Sequence, residues 1–290
     1  MRTLSFLIEE AFAGQTVERF LLQNGISKRL LVKLKQTADG LVLDGVRTRS
    51  TTVLAAGQLL VVTPLQRRSG EAAEVPVLYE DDDLLVVDKP AGLPCHRSGG
   101  HQFDTLEQRI PFQPLRAVGR LDKETSGLVV LAKHQLVAAR LHGTIEKTYL
   151  AVVAGEMPIG EGAIELPLLR KTPYEPLQIV DPAGFPALTV YRVVWAGECL
   201  SVALCTLPTG RMHQIRAHFS AIGHPLKGDV LYGGDCTRIG RQALHCARVE
   251  FLQPMQGNRL TFFSAVPADV RELLPQGALE EIDHGLGKRR

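Results

Sequence analysis

The sequence predicts an α+β protein whose larger part is built on a mainly antiparallel or mixed central sheet with flanking helices. Strand-type segments recur from residue 75 onward, they pair naturally into hairpins, and only a few helical patterns lie between them. With 290 residues, 45% of them hydrophobic, the chain is long enough for one large core and a smaller companion unit.

The first 70 residues form a basic block, with ten Lys or Arg side chains against five Asp or Glu. Val17–Gln23 is predicted as a short amphipathic helix that ends at an Asn-Gly pair, and Ser27 as the cap of a second helix. The second helix carries four basic residues: Lys28, Arg29, Lys33 and Lys35. Segments 41–46 and 58–63 follow as short strands, which makes this a small α/β unit.

A polar run, RRSGEAAEVP, separates this block from the rest of the chain and predicts two domains, 1–70 and 75–290. In the second domain an acidic turn, EDDD, joins strands 75–79 and 84–88. The simplest interpretation of its charges is a solvent-exposed turn rather than a metal site. Further along, a buried strand (128–132), a helix (134–145) and a strand (148–153) precede two hairpins, 188–195 with 200–206 around Gly197, and 248–252 with 259–263.

Composition and missing motifs exclude several classes of protein. Five cysteines without a C-x-x-C pair favour a reducing, cytoplasmic setting. Glu9 and Glu10 interrupt the short apolar N-terminal run, and no segment has the roughly 18 apolar residues of a membrane span, so no membrane partner is expected. A net charge of +2 neither demands nor excludes a nucleic acid. Phosphate-loop, dinucleotide, zinc-protease and serine-hydrolase motifs are absent.

Three segments contain the polar and charged residues that are candidates for a functional site. The first is Arg120-Leu-Asp122, followed by a small-residue turn in which Gly127 allows close approach of another backbone. The second is Lys147-Thr-Tyr149, at the start of a strand. The third, LPTGRMHQIRAH, is a turn that enters a helix ending at Gly223.

The helix of the third segment has an apolar stripe that predicts packing against the sheet, formed by Met212, Ile215, Phe219 and Ile222. Arg216 lies beside the stripe, at the rim of the core, where a carboxylate partner would satisfy its guanidinium. From this pattern alone, a purely structural Arg–Asp bridge is the stronger interpretation.

Four segments, taken together, favour a functional role for Arg216 over a purely structural bridge. They are VDKPAGLP, GRLDKETSGLVVLAK, EKTYLAVVAG and LPTGRMHQIRAHFSAIGHPLKGDVLYGG. In order and approximate spacing they resemble the RluA-type pseudouridine synthases over about residues 75 to 270. The N-terminal block resembles the small RNA-binding domain shared with ribosomal protein S-four. The resemblance implies an isomerase that converts uridines of structured RNA to pseudouridine. For such an enzyme we expect ribosomal rather than transfer RNA as the substrate. We also expect a cytoplasmic monomer that needs no metal or cofactor.

Carried over to matching positions, the resemblance implies that Asp122 is the catalytic aspartate, Tyr149 packs on the target base, and Arg216 pairs with the aspartate. Arg120 would help to displace the target nucleotide, and Leu128 with its neighbours would line the pocket. The other expected RNA contacts are basic or polar: Lys147, Arg211, His213, Lys28, Arg29, Lys33 and Lys35.

Alternatives remain open at this point. Gly119 stands where the family usually has His, which leaves any role of that histidine in doubt, although related synthases acting on ribosomal RNA share the glycine. A non-catalytic RNA-binding protein would retain the basic block, and a metal-dependent hydrolase could use His213 and His218. The sequence does not distinguish attack of Asp122 on the ribose from a route through proton loss.

Overall fold

In the computed structural model the chain divides into two compact units, Met1–Ala72 and Ala73–Arg290. The structure describes residues 4–26, 31, 34–35, 40–63, 75–97, 104–110, 115–172 and 175–288. Both units combine sheet and helix, which confirms the α+β class.

The N-terminal unit contains a four-stranded antiparallel sheet in the order β1-β4-β2-β3. The strands are β1 (Leu4–Leu7), β2 (Leu41–Leu43), β3 (Val46–Arg47) and β4 (Leu59–Val62). Helix α1 (Val17–Gln23) begins where predicted because the Thr16 hydroxyl accepts a hydrogen bond from the Arg19 amide at 3.3 Å. Of the predicted second helix, Leu31 and Leu34 are helical and buried; most of its other residues lie outside the described ranges.

The larger unit is organised around a ten-stranded mixed sheet whose main path is β10-β13-β14-β9-β15-β8-β6-β5, with β16 paired to β15 and β7 to β8. Its strands are β5 (Val77–Glu80), β6 (Leu84–Lys89), β7 (Arg116–Val118), β8 (Ser126–Ala132), β9 (Glu146–Ala154), β10 (Gly160–Glu165), β13 (Leu188–Gly197), β14 (Leu200–Thr206), β15 (Leu244–Leu252) and β16 (Arg259–Phe263). A separate antiparallel pair joins β11 (Leu168–Arg170) and β12 (Gln178–Val180).

Among the described residues of this unit, the helices are α2 (Leu106–Arg109), α3 (Gln135–Leu141), α4 (Gln214–Ala221), α5 (Ala268–Arg271) and α6 (Ala278–Leu286). Successive residues of β9 enter different cores, as the two-residue period of a strand requires. Tyr149 and Ala151 belong to the cluster that contains Phe219 of α4, whereas Leu150 packs in the cluster that contains Ile282 of α6. The sheet is therefore covered on both faces, and Tyr149 lies on the α4 face.

The predicted hairpins are confirmed, as are the buried strand and the helix after His134. The acidic turn is structural, because Asp81 Oδ1 accepts from the Asp83 and Leu84 amides at 2.8 Å each. The apolar stripe of the third segment needs correction. Helix α4 spans Gln214–Ala221, so two members of the stripe lie outside it, and one of these, Ile222, is 37% exposed.

Helix α4 is buried on almost all sides instead, because its polar side chains find partners inside the protein. The side-chain amide Nε2 of Gln214 donates to the Leu188 carbonyl at 2.9 Å, and His218 Nδ1 lies 2.9 Å from the Thr189 hydroxyl. A stripe of apolar residues alone therefore underestimates how deeply this helix packs.

Candidate active site

A cleft on the α4 face brings together most of the side chains that the sequence singled out. Its walls include Asp122, Arg120, Tyr149, Lys147, Arg211 and His213, and Arg216 lines a smaller recess that adjoins it. These residues come from the loop between β7 and β8, from β9, from the turn that enters α4, and from α4 itself. The three predicted segments thus meet at one place.

The loop that carries Asp122 is fixed by its own turn and by a neighbouring thiol. The Thr125 amide donates to the Asp122 carbonyl at 3.1 Å, which closes the turn. One residue earlier, the Leu121 amide donates to Cys95 Sγ at 3.3 Å. The Asp122 side chain retains 28% of its accessible surface, so a substrate can reach it.

Two buried cations hold the same loop from beneath. Lys89, at the end of β6, has no exposed surface, and its Nζ donates to the carbonyls of Pro90 (2.9 Å), Leu93 (2.8 Å) and Lys123 (3.0 Å). Burial lowers the pKa of Lys89 to about 8. Arg241 Nη1 donates to the carbonyl of Glu124 at 3.1 Å. The backbone on the C-terminal side of Asp122 is therefore anchored at successive residues.

Gly127, directly after this loop, has the close backbone contact that the sequence predicts. It pairs with Cys246 where β8 runs parallel to β15, and its φ is +111°. A Cβ at this position would overlap the backbone of Cys246. Only glycine fits, and the loop is thereby joined to the centre of the sheet.

Arg216 contacts two carboxylates, so the predicted pairing with Asp122 is present and Asp229 is a second partner that was not predicted. Its Nε and Nη2 donate to the two oxygens of Asp229 at 2.6 and 2.8 Å, and the Asp229 side chain is 1% exposed. The predicted partner, Asp122, receives only Nη1, at 3.4 Å. Burial lowers the pKa of Arg216, but the hydrogen bonds and charge of Asp229, with the charge of Asp122, raise it overall. Sequence reasoning missed Asp229, although the buried arginine signalled that a carboxylate was needed.

His213 lies beside Asp122 in a left-handed backbone conformation, with a φ of 54°. Its Nε2 is 3.8 Å from Asp122 Oδ2, and its Nδ1 is 3.2 Å from the Tyr232 hydroxyl. That hydroxyl already accepts from the Gln178 amide, so its own proton is available to Nδ1. Burial is the main cause that lowers the pKa of His213. In a neutral ring that accepts a hydrogen bond from the Tyr232 hydroxyl at Nδ1, the ring's own proton lies on Nε2, which faces Asp122.

Tyr149 contributes an aromatic wall. Only 7% of it is exposed, and in the sheet it lies between Cys205 of β14 and Cys246 of β15. Burial, followed by the charges of Cys246 and Asp122, raises the pKa of Tyr149 well above 10. The side chain therefore stays a neutral phenol near neutral pH, with its ring at the cleft.

Lys147 explains why residue 119 is small. Its Nζ donates to the Gly119 carbonyl at 2.6 Å, and burial lowers the pKa of this lysine. Gly119 has a φ of +73°, and a Cβ there would lie 2.8 Å from Lys147 Nζ. Glycine at 119 thus leaves room for a cation at the base of the Asp122 loop.

The remaining residues predicted to contact RNA or to line the pocket lie in different parts of the structure. Arg120 is exposed, with Nη1 3.3 Å from His96 Nε2. Leu128 is completely buried in the core and does not line the cleft, because its strand has both faces covered. In the N-terminal unit Lys35 pairs with Glu18 at 3.1 Å. Three predicted RNA contacts lie outside the described residues: Lys28, Arg29 and Lys33.

His218, one of the two histidines considered as metal ligands, is engaged elsewhere, as is His224 beyond the end of α4. His218 Nε2 is 2.9 Å from the Leu166 carbonyl, and His224 Nδ1 is 2.8 Å from the carbonyl of Ala154. Across the described ranges, three or more His, Cys, Asp or Glu side chains nowhere cluster as a metal site would require. The same ranges contain no helix that is long and apolar enough to span a membrane.

Comparison with known proteins gives one consistent result. The family model described as RNA pseudouridylate synthase matches residues 83–221. The uncharacterized RNA pseudouridine synthase YjbO of Bacillus subtilis is 35% identical over 277 residues, covering 89% of this chain and 98% of that protein. The ribosomal large subunit pseudouridine synthase D of Vibrio vulnificus is 34% identical over 289 residues, covering 89% of this chain and 88% of that protein.

A similarity in three dimensions agrees with these relatives. The solved structure of human RNA pseudouridylate synthase domain containing 1 superposes with a TM-score of 0.57 at 25% identity. The superposition covers 74% of this chain and 95% of the human one.

Proposed function

Because the chain belongs to the RNA pseudouridylate synthase family and is an RNA-modifying isomerase, we propose that it converts specific uridines of ribosomal RNA to pseudouridine. Relatives from Vibrio vulnificus and Nitrosomonas europaea are named ribosomal large subunit pseudouridine synthases, and this naming supports ribosomal RNA as the substrate. We place the reaction in the cytoplasm and expect a monomer.

The observation that carries the proposal is the position of Asp122, a partly exposed carboxylate on an anchored loop, 3.4 Å from an arginine and in the same cleft as a buried tyrosine. The isomerisation breaks the bond from ribose C1′ to uracil N1, rotates the base, and forms the bond from C1′ to C5; C5 loses its proton and N1 gains one, so the composition is unchanged. We assign to Asp122 the oxygen that acts on the ribose, either as nucleophile or as base.

Arg216 and Asp229 set the electrostatics of that oxygen in this mechanism. A guanidinium beside a carboxylate attracts it and donates a charge-assisted hydrogen bond to it. Here Asp229 takes two of the guanidinium nitrogens, so the third meets Asp122 through a single long contact. Asp122 is thereby placed beside a cation without being enclosed by a bidentate pair. Its other oxygen stays available to the sugar.

The target nucleotide must leave its stack to reach Asp122, at a cost of a few kcal/mol. Tyr149 offers an aromatic face at the cleft that recovers part of this cost, since base–aromatic stacking contributes ~1–3 kcal/mol. Exposed Arg120, two residues before Asp122, is suited to occupy the space that the nucleotide leaves. The N-terminal unit, which we infer to be an S-four-like RNA-binding domain, adds phosphate contacts.

The proposal is tested by incubating the purified protein with unmodified ribosomal RNA transcripts and mapping pseudouridine. We expect the wild-type protein to modify defined uridines and Asp122→Asn to modify none, while RNA binding stays within a few-fold. The control Asp82→Asn changes an exposed carboxylate of the turn before β6 and should act like the wild type.

Modification by Asp122→Asn at the wild-type rate would refute the assignment of Asp122. Tight binding without turnover by the wild-type protein would favour an RNA-binding protein without catalysis. Turnover that is lost in chelator would instead indicate a metal-dependent enzyme.

A further inference from the structure

Phe185 is an aromatic side chain that the fold does not bury. It is 66% exposed, and the guanidinium carbon of Arg211 lies 5.4 Å from the centre of its ring. Arg211 also lines the cleft that contains Asp122 and Tyr149. The ring is therefore connected, through one cation, to the wall of the active site.

Backbone hydrogen bonds fix the position of the chain at Phe185. Its amide donates to the Leu168 carbonyl at 2.9 Å, and its own carbonyl accepts from the Leu168 amide at 2.9 Å. The preceding turn is closed by the Gly184 amide, which donates to the Asp181 carbonyl at 2.8 Å. A Cβ at Gly184 would overlap the backbone of Leu168, so the two segments are in direct contact.

This support continues into the helix of the active site. Leu168 is 1% exposed and packs with Ala217 of α4 and with Tyr232, whose hydroxyl contacts His213. Arg211 is held as well, because its Nε donates to the Pro186 carbonyl at 3.2 Å. Ring and guanidinium are thus mounted on the framework that positions the cleft. A rigid, exposed aromatic residue loses little conformational entropy when a ligand binds it.

We infer that Phe185 and Arg211 form a stacking platform for an unpaired nucleobase that neighbours the target uridine; this inference rests on the proposed function. When the target leaves its stack, an adjacent base loses a stacking partner, and an aromatic face replaces it regardless of base identity. The guanidinium behind the ring adds a cation for the phosphate backbone, in a cleft that also presents Arg120 and Lys147.

The first test measures turnover of hypomodified ribosomal RNA by Phe185→Ala, Phe185→Tyr and a control, Ile159→Ala, which is 64% exposed and does not line the cleft. For Phe185→Ala we expect the half-saturating RNA concentration to rise roughly 5- to 100-fold with a nearly unchanged rate at saturation. Phe185→Tyr should restore the wild-type value, and Ile159→Ala should match it.

A second test detects stacking directly and does not depend on turnover or on the choice of substrate. Phe185→Trp is made in a Trp195→Phe background, so that the only indole lies at position 185. Total cellular RNA should quench its fluorescence at the concentrations at which binding is observed. Binding without quenching, or a Phe185→Ala enzyme that saturates like the wild type, would overturn the platform. Quenching without any turnover of ribosomal RNA would leave the platform standing and refute the proposed substrate.

Discussion

At the scale of single residues, the position of Arg216 between two carboxylates is the main electrostatic feature of the cleft. If two guanidinium nitrogens of a buried arginine donated to both oxygens of Asp122, the carboxylate would be held in a bidentate structural salt bridge. Asp229 prevents this by accepting from Nε and Nη2, at 2.6 and 2.8 Å. The Tyr232 ring, 5.0 Å from the guanidinium carbon, packs against the same group. Arg216 is therefore fixed independently of Asp122.

We expect Asp229→Asn to lower single-turnover rates at least tenfold, because Arg216 would lose its fixed partner and move towards Asp122. Removing one partner of a buried pair should also lower the free energy of unfolding by roughly 3 kcal/mol. Urea unfolding and single-turnover pseudouridine formation measure the two effects. Asp235→Asn, at a partly exposed pair with Lys227, is the control and should change the free energy of unfolding much less than Asp229→Asn does. Wild-type turnover in Asp229→Asn would show that Arg216 does not need this anchor.

Gly119 allows a second residue-level prediction, because its conformation and its neighbour contribute separately. Gly119→Ala should lower the free energy of unfolding by about 1–2 kcal/mol because of the left-handed backbone. The steric overlap of the new Cβ with Lys147 should lower it further. Gly257→Ala, with a similar φ of +76° and open space around it, should show the backbone cost alone. Unfolding free energies in a Lys147→Ala background complete the cycle. Strictly additive effects of the changes at 119 and 147 would contradict the proposed contact.

The residue scale also shows what a sequence can and cannot predict. The motif around Arg216 indicated that a carboxylate must face it, but not which one. Asp229 lies past the end of α4, and Asp122 is 94 positions away from Arg216. That Arg216 contacts both of them depends on how the helix packs, which no local pattern encodes. Leu128 was expected at the pocket for its position beside the motif, yet its strand is buried on both faces.

At the scale of elements, the loop that carries Asp122 is held between the end of β6 and the start of β8. Lys89 belongs to β6 and donates to the Lys123 carbonyl, while Gly127 joins β8 to β15. Hairpins such as β13–β14 were predictable because their partners are adjacent in sequence. The parallel pairing of β8 with β15 was not, since about 120 residues separate the paired positions and only the tertiary fold brings them together.

Lys89 gives this loop a characteristic pH dependence. Its pKa is about 8 in the folded protein and 10.5 in the unfolded chain, so between these values the unfolded state binds more protons. Stability relative to Lys89→Met should therefore be constant below pH 8 and rise towards pH 10.5, by on the order of 3 kcal/mol. Urea unfolding of both proteins across this range measures the difference. Lys123→Met, which changes an exposed lysine of the same loop, should follow the wild-type curve. A difference that does not change with pH would contradict the burial of a titrating Lys89.

At the scale of the whole molecule, we expect the smaller unit to contribute RNA affinity and the larger unit to contribute the chemistry. The residues assigned to chemistry all lie in the unit Ala73–Arg290, whereas the predicted basic helix belongs to Met1–Ala72. Affinity for RNA depends on how many phosphates are neutralised, and chemistry on the geometry of a few side chains. Changes in the N-terminal unit should therefore alter binding and its salt dependence before they alter turnover at saturating RNA.

The predicted basic helix is tested by changing three of its cations to glutamine: Lys28, Arg29 and Lys33. Each phosphate contact contributes roughly 0.7 to 0.9 to the slope of log affinity against log salt, so the slope should flatten by about 2 to 3. The fourth cation, Lys35, pairs with Glu18 and should contribute less. Changing Arg19, Arg47 and Arg49 to glutamine removes the same charge from the same unit and serves as the control. RNA titrations at three salt concentrations separate a local phosphate contact from a general effect of charge, because the second would flatten both slopes equally. Equal slopes in the two triple variants would therefore reject the basic helix as the RNA-binding element of this unit.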